Sequence, residues 1–121
     1  NNAKDIQQIL NVIQSAVTMD ALDTWAWKLN DYKNVCGERY PEFTSAIDAA
    51  FQSSPFSSID IVRLWQTRTP AKSLEEVKRE LESLQQSFAR ILDSKSNAQK
   101  EGFCRNLSKA ILEVGKELPT R

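Results

Sequence analysis

The side chains that most often perform catalysis are missing from this sequence. None of its 121 residues is a histidine, which removes the usual general base and the usual zinc ligand. The three glycines are isolated at Gly37, Gly102 and Gly115, so no glycine-rich loop can cradle a phosphate. We therefore expect no metal site and no bound cofactor.

The remaining acidic and thiol side chains are better explained by helix structure than by chemistry. Glu75, Glu76 and Glu80 crowd the start of a predicted helix, where negative charge interacts favourably with the helix dipole. Cys36 lies near the end of another predicted helix, where the dipole opposes formation of a thiolate. The sequence thus predicts no catalytic residues and a protein that is not an enzyme.

The two cysteines are compatible with either a cytoplasmic or a secreted protein. Cys36 and Cys104 lie far apart in sequence and outside any CxxC pair, which is typical of two buried thiols in a cytoplasmic domain. The alternative is a disulfide that joins an early helix to the last one in a small secreted helical protein. We expect a cytoplasmic location, or secretion if the two cysteines are bridged.

Trp27 departs from the helical pattern around it. It follows Trp25 by two residues, so it projects away from the apolar stripe of its own helix. Its neighbours on that side are Asp23, Asp31 and Asn34. Tryptophan is enriched at interface hot spots, so we predict that these four residues bind a protein partner that carries basic side chains. The alternative is that another helix of the same domain buries Trp27.

A basic segment supports a different function. Between residues 63 and 79, around the predicted turn between the fourth and fifth helices, lie five cations: Arg63, Arg68, Lys72, Lys78 and Arg79. Two helices joined by a short turn could form a helix-turn-helix-like motif that binds nucleic acid. Glu75 and Glu76 open the second helix and would face the phosphates, so nucleic-acid binding is possible but not favoured.

Helical periodicity predicts the elements that carry these residues. A first amphipathic helix is expected over residues 3–17, and Thr18 or Asp20 is expected to cap a second helix that ends at Gly37. Pro41 suits the first turn of a third helix. The apolar stripe of the first helix consists of Ile6, Ile9, Leu10, Ile13 and Val17.

A short fourth helix is predicted after Ser57 or Ser58. Its apolar face is wide, which favours a place at the centre of the core. Trp25 and Trp65 are both expected to be core residues. The apolar residues of this helix are Ile61, Val62, Leu64 and Trp65.

Two long helices with apolar seams complete the chain. Ser73 and Glu76 form a capping box at the start of the fifth helix, and a sixth is expected over about residues 97–117. Because only a short turn separates them, we predict an antiparallel helical hairpin. A homodimer through the seam of these two helices is the alternative. The seam of the fifth helix consists of Leu74, Val77, Leu81, Leu84, Phe88 and Ile91.

The net charge and the hydropathy of the chain also indicate its class. Sixteen basic and sixteen acidic residues cancel, although residues 1–60 carry a net charge of −4 and the remainder +4. No apolar run approaches the ~20 residues that cross a membrane. We predict a soluble all-α domain of about six helices over residues 1–121, alone or as part of a longer protein. Its expected role is non-enzymatic: a regulatory or adaptor domain that binds a protein partner.

Overall fold

The computed structural model describes the backbone of residues 2–118 and the side chains of residues 21–118. Within residues 2–118 it contains α-helices and short 3₁₀ turns and no β-strand, which confirms the predicted all-α class. The α-helices number five rather than six: α1 (Asn2–Arg39), α2 (Thr44–Ser53), α3 (Ile61–Arg68), α4 (Leu74–Asp93) and α5 (Asn97–Glu117). The 3₁₀ turns Pro41–Phe43 and Pro55–Ser58 join α1 to α2 and α2 to α3.

The first two predicted helices are one continuous helix, α1. The prediction of a break was wrong because residues 17–21 contain neither proline nor glycine, and a helix tolerates threonine and aspartate at its interior positions. The backbone is helical through both Thr18 and Asp20, so neither residue begins a helix. The side chains of these two residues lie outside the described part of the chain.

The end of α1 is set by a proline rather than by glycine. Gly37, the predicted terminator, lies inside the helix and has no positive φ angle. The helix instead ends at Arg39, and Tyr40 has left the helical region with φ −137° and ψ 75°. Pro41 follows Tyr40 and disfavours the α conformation in the residue before it, so the chain turns at that point.

The helix α3 lies at the surface, contrary to the predicted central position. None of its residues is fully buried, and Trp65 is half-buried. Its start is fixed by Asp60, whose carboxylate accepts a hydrogen bond of 3.1 Å from the backbone N–H of Arg63. The prediction that Trp25 is a core residue is also wrong, because its side chain is 37% exposed.

Capping boxes begin both long C-terminal helices. Ser73 accepts a hydrogen bond from the Glu76 backbone N–H at 3.2 Å, and the Glu76 carboxylate accepts one from the Ser73 N–H at 3.3 Å. This confirms the predicted start of α4. Ser96 and Gln99 exchange the same pair of hydrogen bonds at the start of α5.

The antiparallel hairpin of α4 and α5 is not confirmed. The α4 helix packs mainly on α1 and α3, whereas α5 packs mainly on α2 and α1. Tyr32 of α1 contacts a ring on each side, with centroid distances of 4.9 Å to Phe88 of α4 and 5.0 Å to Phe103 of α5. The α1 helix therefore lies between α4 and α5, the two helices that were predicted to pack on each other.

The core is formed where α1, α2 and α5 meet. Phe56 belongs to this core and is fully buried although it lies in a 3₁₀ turn; its backbone N–H donates a hydrogen bond to the Ser54 hydroxyl at 3.3 Å. The large aliphatic and aromatic side chains of the core are Leu22, Leu29, Val35, Ile47, Phe51, Phe56, Leu92, Leu107 and Ile111.

A disulfide crosses this core from α1 to α5. The Sγ atoms of Cys36 and Cys104 lie 2.09 Å apart, and both residues are fully buried. The interpretation of the two cysteines as free thiols is therefore wrong. The bridge joins two helices that are far apart in sequence and fixes their relative position.

Candidate functional site

Trp27 lies in the interface that joins α1 to α3 and α4. Its ring centroid is 5.4 Å from that of Trp65 in an edge-to-face arrangement and 5.6 Å from that of Phe88. The side chain is half-buried by these contacts. Intramolecular packing thus explains why a tryptophan projects away from the apolar stripe of its own helix.

The acidic neighbours of Trp27 also face the interior. Asp23 and Asp31 are each 6% exposed. The Asp23 carboxylate lies 3.6 Å from the Arg68 guanidinium, and the Asn34 amide donates a hydrogen bond of 2.8 Å to Gln85 Oε1. The predicted partner-binding residues do share one side of α1, and α3 and α4 cover much of that side. Binding of a partner there stays a prediction.

Asp31 differs from Asp23 in having an unsatisfied oxygen. Its buried Oδ2 atom accepts no hydrogen bond from the residues whose side chains are described. Burial raises the pKa of Asp31 from its usual value to about 7. Burial also raises the pKa of the adjacent Tyr32, with a further contribution from the Asp31 charge. Asp31 is therefore a carboxyl group that titrates near neutral pH.

The basic residues of the nucleic-acid alternative are partly paired with acids. Arg68 lies beside Asp23, and the Lys72 ammonium group forms an ion pair with the Glu80 carboxylate. The hydrogen bond from Lys72 holds the pKa of Glu80 below its usual value. The other three cations, Arg63, Lys78 and Arg79, are exposed. Nucleic-acid binding by this segment stays a prediction.

A row of aromatic rings crosses the molecule from α3 to α5. Trp65 of α3 contacts Trp27 of α1, and Trp27 contacts Phe88 of α4, with the centroid distances given above. Phe88 in turn contacts Tyr32 of α1, and Tyr32 contacts Phe103 of α5. Sequence reasoning missed this row because its five rings come from four different helices.

The last part of this row lines a groove on the surface. We define the aromatic groove as the surface between α4 and α5 whose floor is α1, centred on Tyr32, Phe88 and Phe103. Phe103 is 38% exposed, and Ile91, one turn beyond Phe88 on α4, is 56% exposed. Trp25 precedes Tyr32 by two turns on the same side of α1. Exposed apolar side chains gathered in one patch are typical of an interaction surface.

A shallow depression lies on α5 beside Phe103. It has a volume of about 450 Å³, and apart from Lys95 its lining residues all belong to α5, among them Asn106, Leu107 and Ala110. The surface next to the exposed ring is therefore concave, which is the shape that a docked side chain or helix requires.

Charged contacts join the ends of α1, α4 and α5. Asp93, at the end of α4, accepts hydrogen bonds of 2.8 and 3.1 Å from the Arg39 guanidinium. Lys100 of α5 approaches the same carboxylate at 3.4 Å. The hydrogen bond from Arg39 lowers the pKa of Asp93 to about 2. These three residues hold the adjacent ends of α1, α4 and α5 in place.

A second concave surface lies beside α3. It has a volume of about 690 Å³ and lies between α1, α3 and the chain that joins the 3₁₀ turn to α3. Its lining residues are half apolar and half polar: Leu22, Pro55, Ile59 and Leu64, with Ser58, Asp60, Arg63 and Thr67. Its carboxylate, Asp60, is already used as the N-cap of α3. Among the described residues, no cluster of cysteine and acidic side chains could hold a metal ion. Nor does any helix in that part of the chain have the length and apolar character needed to cross a membrane.

Comparisons with known proteins identify no relative. No family model, no curated protein and no solved structure matches this chain. Its function must therefore be inferred from its own surface, on which the aromatic groove carries partly exposed rings from three helices.

Proposed function

We propose that this chain is a non-enzymatic protein-interaction domain that binds its partner in the aromatic groove. The observation that carries this proposal is the partly exposed row of Tyr32, Phe88 and Phe103. The rings lie where α4 and α5 both pack on α1. Burial of these rings against a partner would be favourable, at roughly 25 cal/mol for each Å² of apolar surface removed from water.

The shape of the groove indicates the kind of partner. The flanking helices contain 20 and 21 residues, so each is about 30 Å long. An amphipathic helix is one kind of partner that can lay its apolar side along a surface flanked by two long helices. Aromatic residues dominate the binding energy of many protein interfaces, whereas exposed charges contribute less. We therefore assign the binding energy to the rings Tyr32, Phe88 and Phe103.

The disulfide supports an extracytoplasmic location for this function. A buried bridge between Cys36 and Cys104 persists in an oxidising environment and is uncommon in the reducing cytoplasm. A small helical domain that meets its partner outside the cytoplasm gains stability from such a bridge. The secreted alternative is accordingly preferred to the cytoplasmic one.

A pair of substitutions on α5 tests the groove. Phe103 and Leu112 are 38% and 39% exposed, and they lie on opposite sides of the same helix. We expect Phe103→Ser to reduce the affinity for the partner by at least about tenfold, equivalent to about 1.4 kcal/mol. Leu112→Ser removes a similarly exposed side chain outside the groove and should leave the affinity unchanged.

The measurement is affinity capture from a nuclease-treated extract of the native host. The protein retained by the wild type and by Leu112→Ser should be lost with Phe103→Ser, while circular dichroism shows that both variants remain folded. Retention of the same partner by folded Phe103→Ser at the wild-type level would contradict the proposal. Loss of all partners after nuclease treatment would instead favour the basic segment around Arg68.

A further inference from the structure

The last helix carries an acceptor sequence for N-linked glycosylation. Asn106, Leu107 and Ser108 form the tripeptide Asn-X-Ser, in which X is any residue except proline. No other asparagine of the sequence is followed two positions later by serine or threonine. A tripeptide of this kind also arises by chance, so the surroundings of Asn106 decide whether the position can hold a sugar.

The side chain of Asn106 lies at the surface and is turned away from the core. It is exposed, and it follows the fully buried Cys104 by two residues, so it projects from the opposite side of α5. Its amide nitrogen donates a hydrogen bond of 2.9 Å to the backbone carbonyl of Gly102, one turn earlier. An amide nitrogen carries two hydrogens, so a sugar can replace one of them while the other keeps a hydrogen bond.

The surface next to the Asn106 amide is open. A Cβ atom added at Gly102 would meet no neighbouring atom within 4 Å. The shallow depression beside Phe103, with a volume of about 450 Å³, has both Gly102 and Asn106 in its lining. A sugar attached to the Asn106 amide therefore has room on the folded surface of α5.

The disulfide is an independent observation that concerns the compartment. The bridge between Cys36 and Cys104 is typical of proteins that fold in an oxidising environment. N-linked sugars are attached to secreted proteins, which pass through such an environment. A chain that forms this bridge therefore also enters the compartment in which the sugar is transferred.

We infer that Asn106 is an N-glycosylation site whose sugar donor is a lipid diphosphate-linked oligosaccharide. In the transfer, the Asn106 amide nitrogen forms a bond to the anomeric carbon of the first sugar and gives up one proton. The bond between that carbon and the diphosphate breaks, and the lipid diphosphate leaves with the electron pair. Because the tripeptide lies within α5, the transfer takes place on the unfolded chain before the helix forms.

The sugar would stand beside the aromatic groove. Asn106 follows Phe103 by three residues, which places the two side chains about 60° apart around the helix. The inference shares the extracytoplasmic location with the proposed function, but it does not depend on a protein partner in the groove.

Mass spectrometry of the full chain, purified from the extracytoplasmic fraction of its native host, tests the site. We expect an intact mass above that of the polypeptide, and we expect peptide N-glycosidase to remove the excess. In heavy-oxygen water this enzyme converts the glycosylated asparagine to a labelled aspartate, and the label should map to position 106. Asn97 is also exposed on α5 but is followed by Ala98 and Gln99, so it should stay unlabelled. A digest without the enzyme controls for spontaneous deamidation.

Two substitutions at the third position of the tripeptide form a matched pair. Ser108→Ala removes the hydroxyl group of the acceptor sequence and should abolish the glycan. Ser108→Thr keeps a hydroxyl group and should retain the glycan. Asn106→Gln removes the acceptor amide from its position and should behave like Ser108→Ala. Circular dichroism of the purified variants checks that each one is folded.

The possible outcomes separate this inference from the proposed function. An unmodified chain in the native host, a label at another asparagine, or a glycan that persists in folded Ser108→Ala would overturn the glycosylation site. Phe103→Ser leaves the tripeptide intact and decides the proposed function separately. An unmodified chain whose partner is lost with Phe103→Ser contradicts only the glycosylation site. A chain glycosylated at Asn106 whose partner is retained by Phe103→Ser supports the site and contradicts only the proposed function.

Discussion

Asp31 is a buried carboxyl group with an unsatisfied oxygen atom. It is buried on the side of α1 that faces α3 and α4, and its Oδ2 atom has no hydrogen-bond donor among the described side chains. A buried carboxylate without a donor is unfavourable, so burial raises the pKa of Asp31 to about 7. The folded protein therefore favours the protonated form over a pH range in which an unfolded chain would be ionised.

We expect this group to make the protein less stable as the pH rises from about 4 to 7. In this window the folded state keeps a proton that the unfolded state releases, because an unfolded aspartate has a pKa of about 3.9. The loss in the free energy of unfolding has an upper limit of about 4 kcal/mol, at about 1.4 kcal/mol per pKa unit. Urea denaturation between pH 4.5 and 8 measures it, and Asp31→Asn should remove most of the slope.

The titration of Asp93 does not contribute to the change in stability between pH 4.5 and 8. The hydrogen bond from Arg39 lowers its pKa to about 2, so its stabilising contribution is complete above about pH 4 and is lost only as the pH falls toward 2. A slope between pH 4.5 and 8 that is the same in the wild type and in Asp31→Asn would show that Asp31 is not the responsible group.

Trp27 shows how far a single sequence predicts the position of a side chain. The helical wheel correctly separated it from the apolar stripe, because the direction of a side chain follows from its place along the helix. The wheel could not identify what lies in that direction. Trp65 and Phe88 are far from Trp27 in sequence, and only the tertiary fold brings the three rings together.

Two glycines of α5 have different surroundings and make a matched pair. A Cβ atom added at Gly102 would meet no atom within 4 Å, whereas one added at Gly115 would lie 3.0 Å from Pro55 Cδ. We expect Gly102→Ala to raise the free energy of unfolding by up to about 1 kcal/mol, through helix propensity. Gly115→Ala should be less stable than Gly102→Ala by at least about 1 kcal/mol, since the rigid proline ring must move.

Thermal and urea denaturation of the two variants tests this contrast. Equal stabilisation by both substitutions would mean that α5 and the Pro55–Ser58 turn are farther apart in solution than the structure places them. Such a result would remove the close approach at Gly115 as a constraint on the position of α5.

Helix boundaries were predictable where local chemistry sets them. The capping box at Ser73 correctly gave the start of α4, and the same pattern at Ser96 could have given the start of α5. The predicted break near Thr18 failed because residues that can cap a helix are also compatible with its interior. Only Pro41 carried a strong signal for the end of α1.

The disulfide ties the first helix to the last and should dominate global stability. Closing a loop of this length in the unfolded chain is worth about 4 kcal/mol in the chain-entropy model. We expect the Cys36→Ser/Cys104→Ser variant to lose up to that amount in the free energy of unfolding. Urea denaturation with and without reductant measures it, and the double variant should not respond to reductant. A wild-type protein whose stability does not change after verified reduction would contradict this role.

The helical class of the molecule followed from periodicity, but the arrangement of its helices did not. The seam of α4 predicted that the helix has one apolar side. Of its residues only Val77 is fully buried, while Leu74 and Ile91 are exposed, and Leu92, which lies outside the seam, is buried. The short turn before α5 suggested that the two helices pair. Instead α1, which is long enough to reach between them, packs against both, and this leaves Ile91 and Phe103 exposed.

The central claim, that the aromatic groove is a protein-binding surface, is tested most directly by crosslinking in the native host. Benzoylphenylalanine replaces Phe103 in one strain and Leu112 in another, and adducts are compared after irradiation. The account predicts a light-dependent adduct from position 103, to a second copy or to another protein, and little or none from position 112. No adduct from position 103, or equal adducts from both positions, would contradict it.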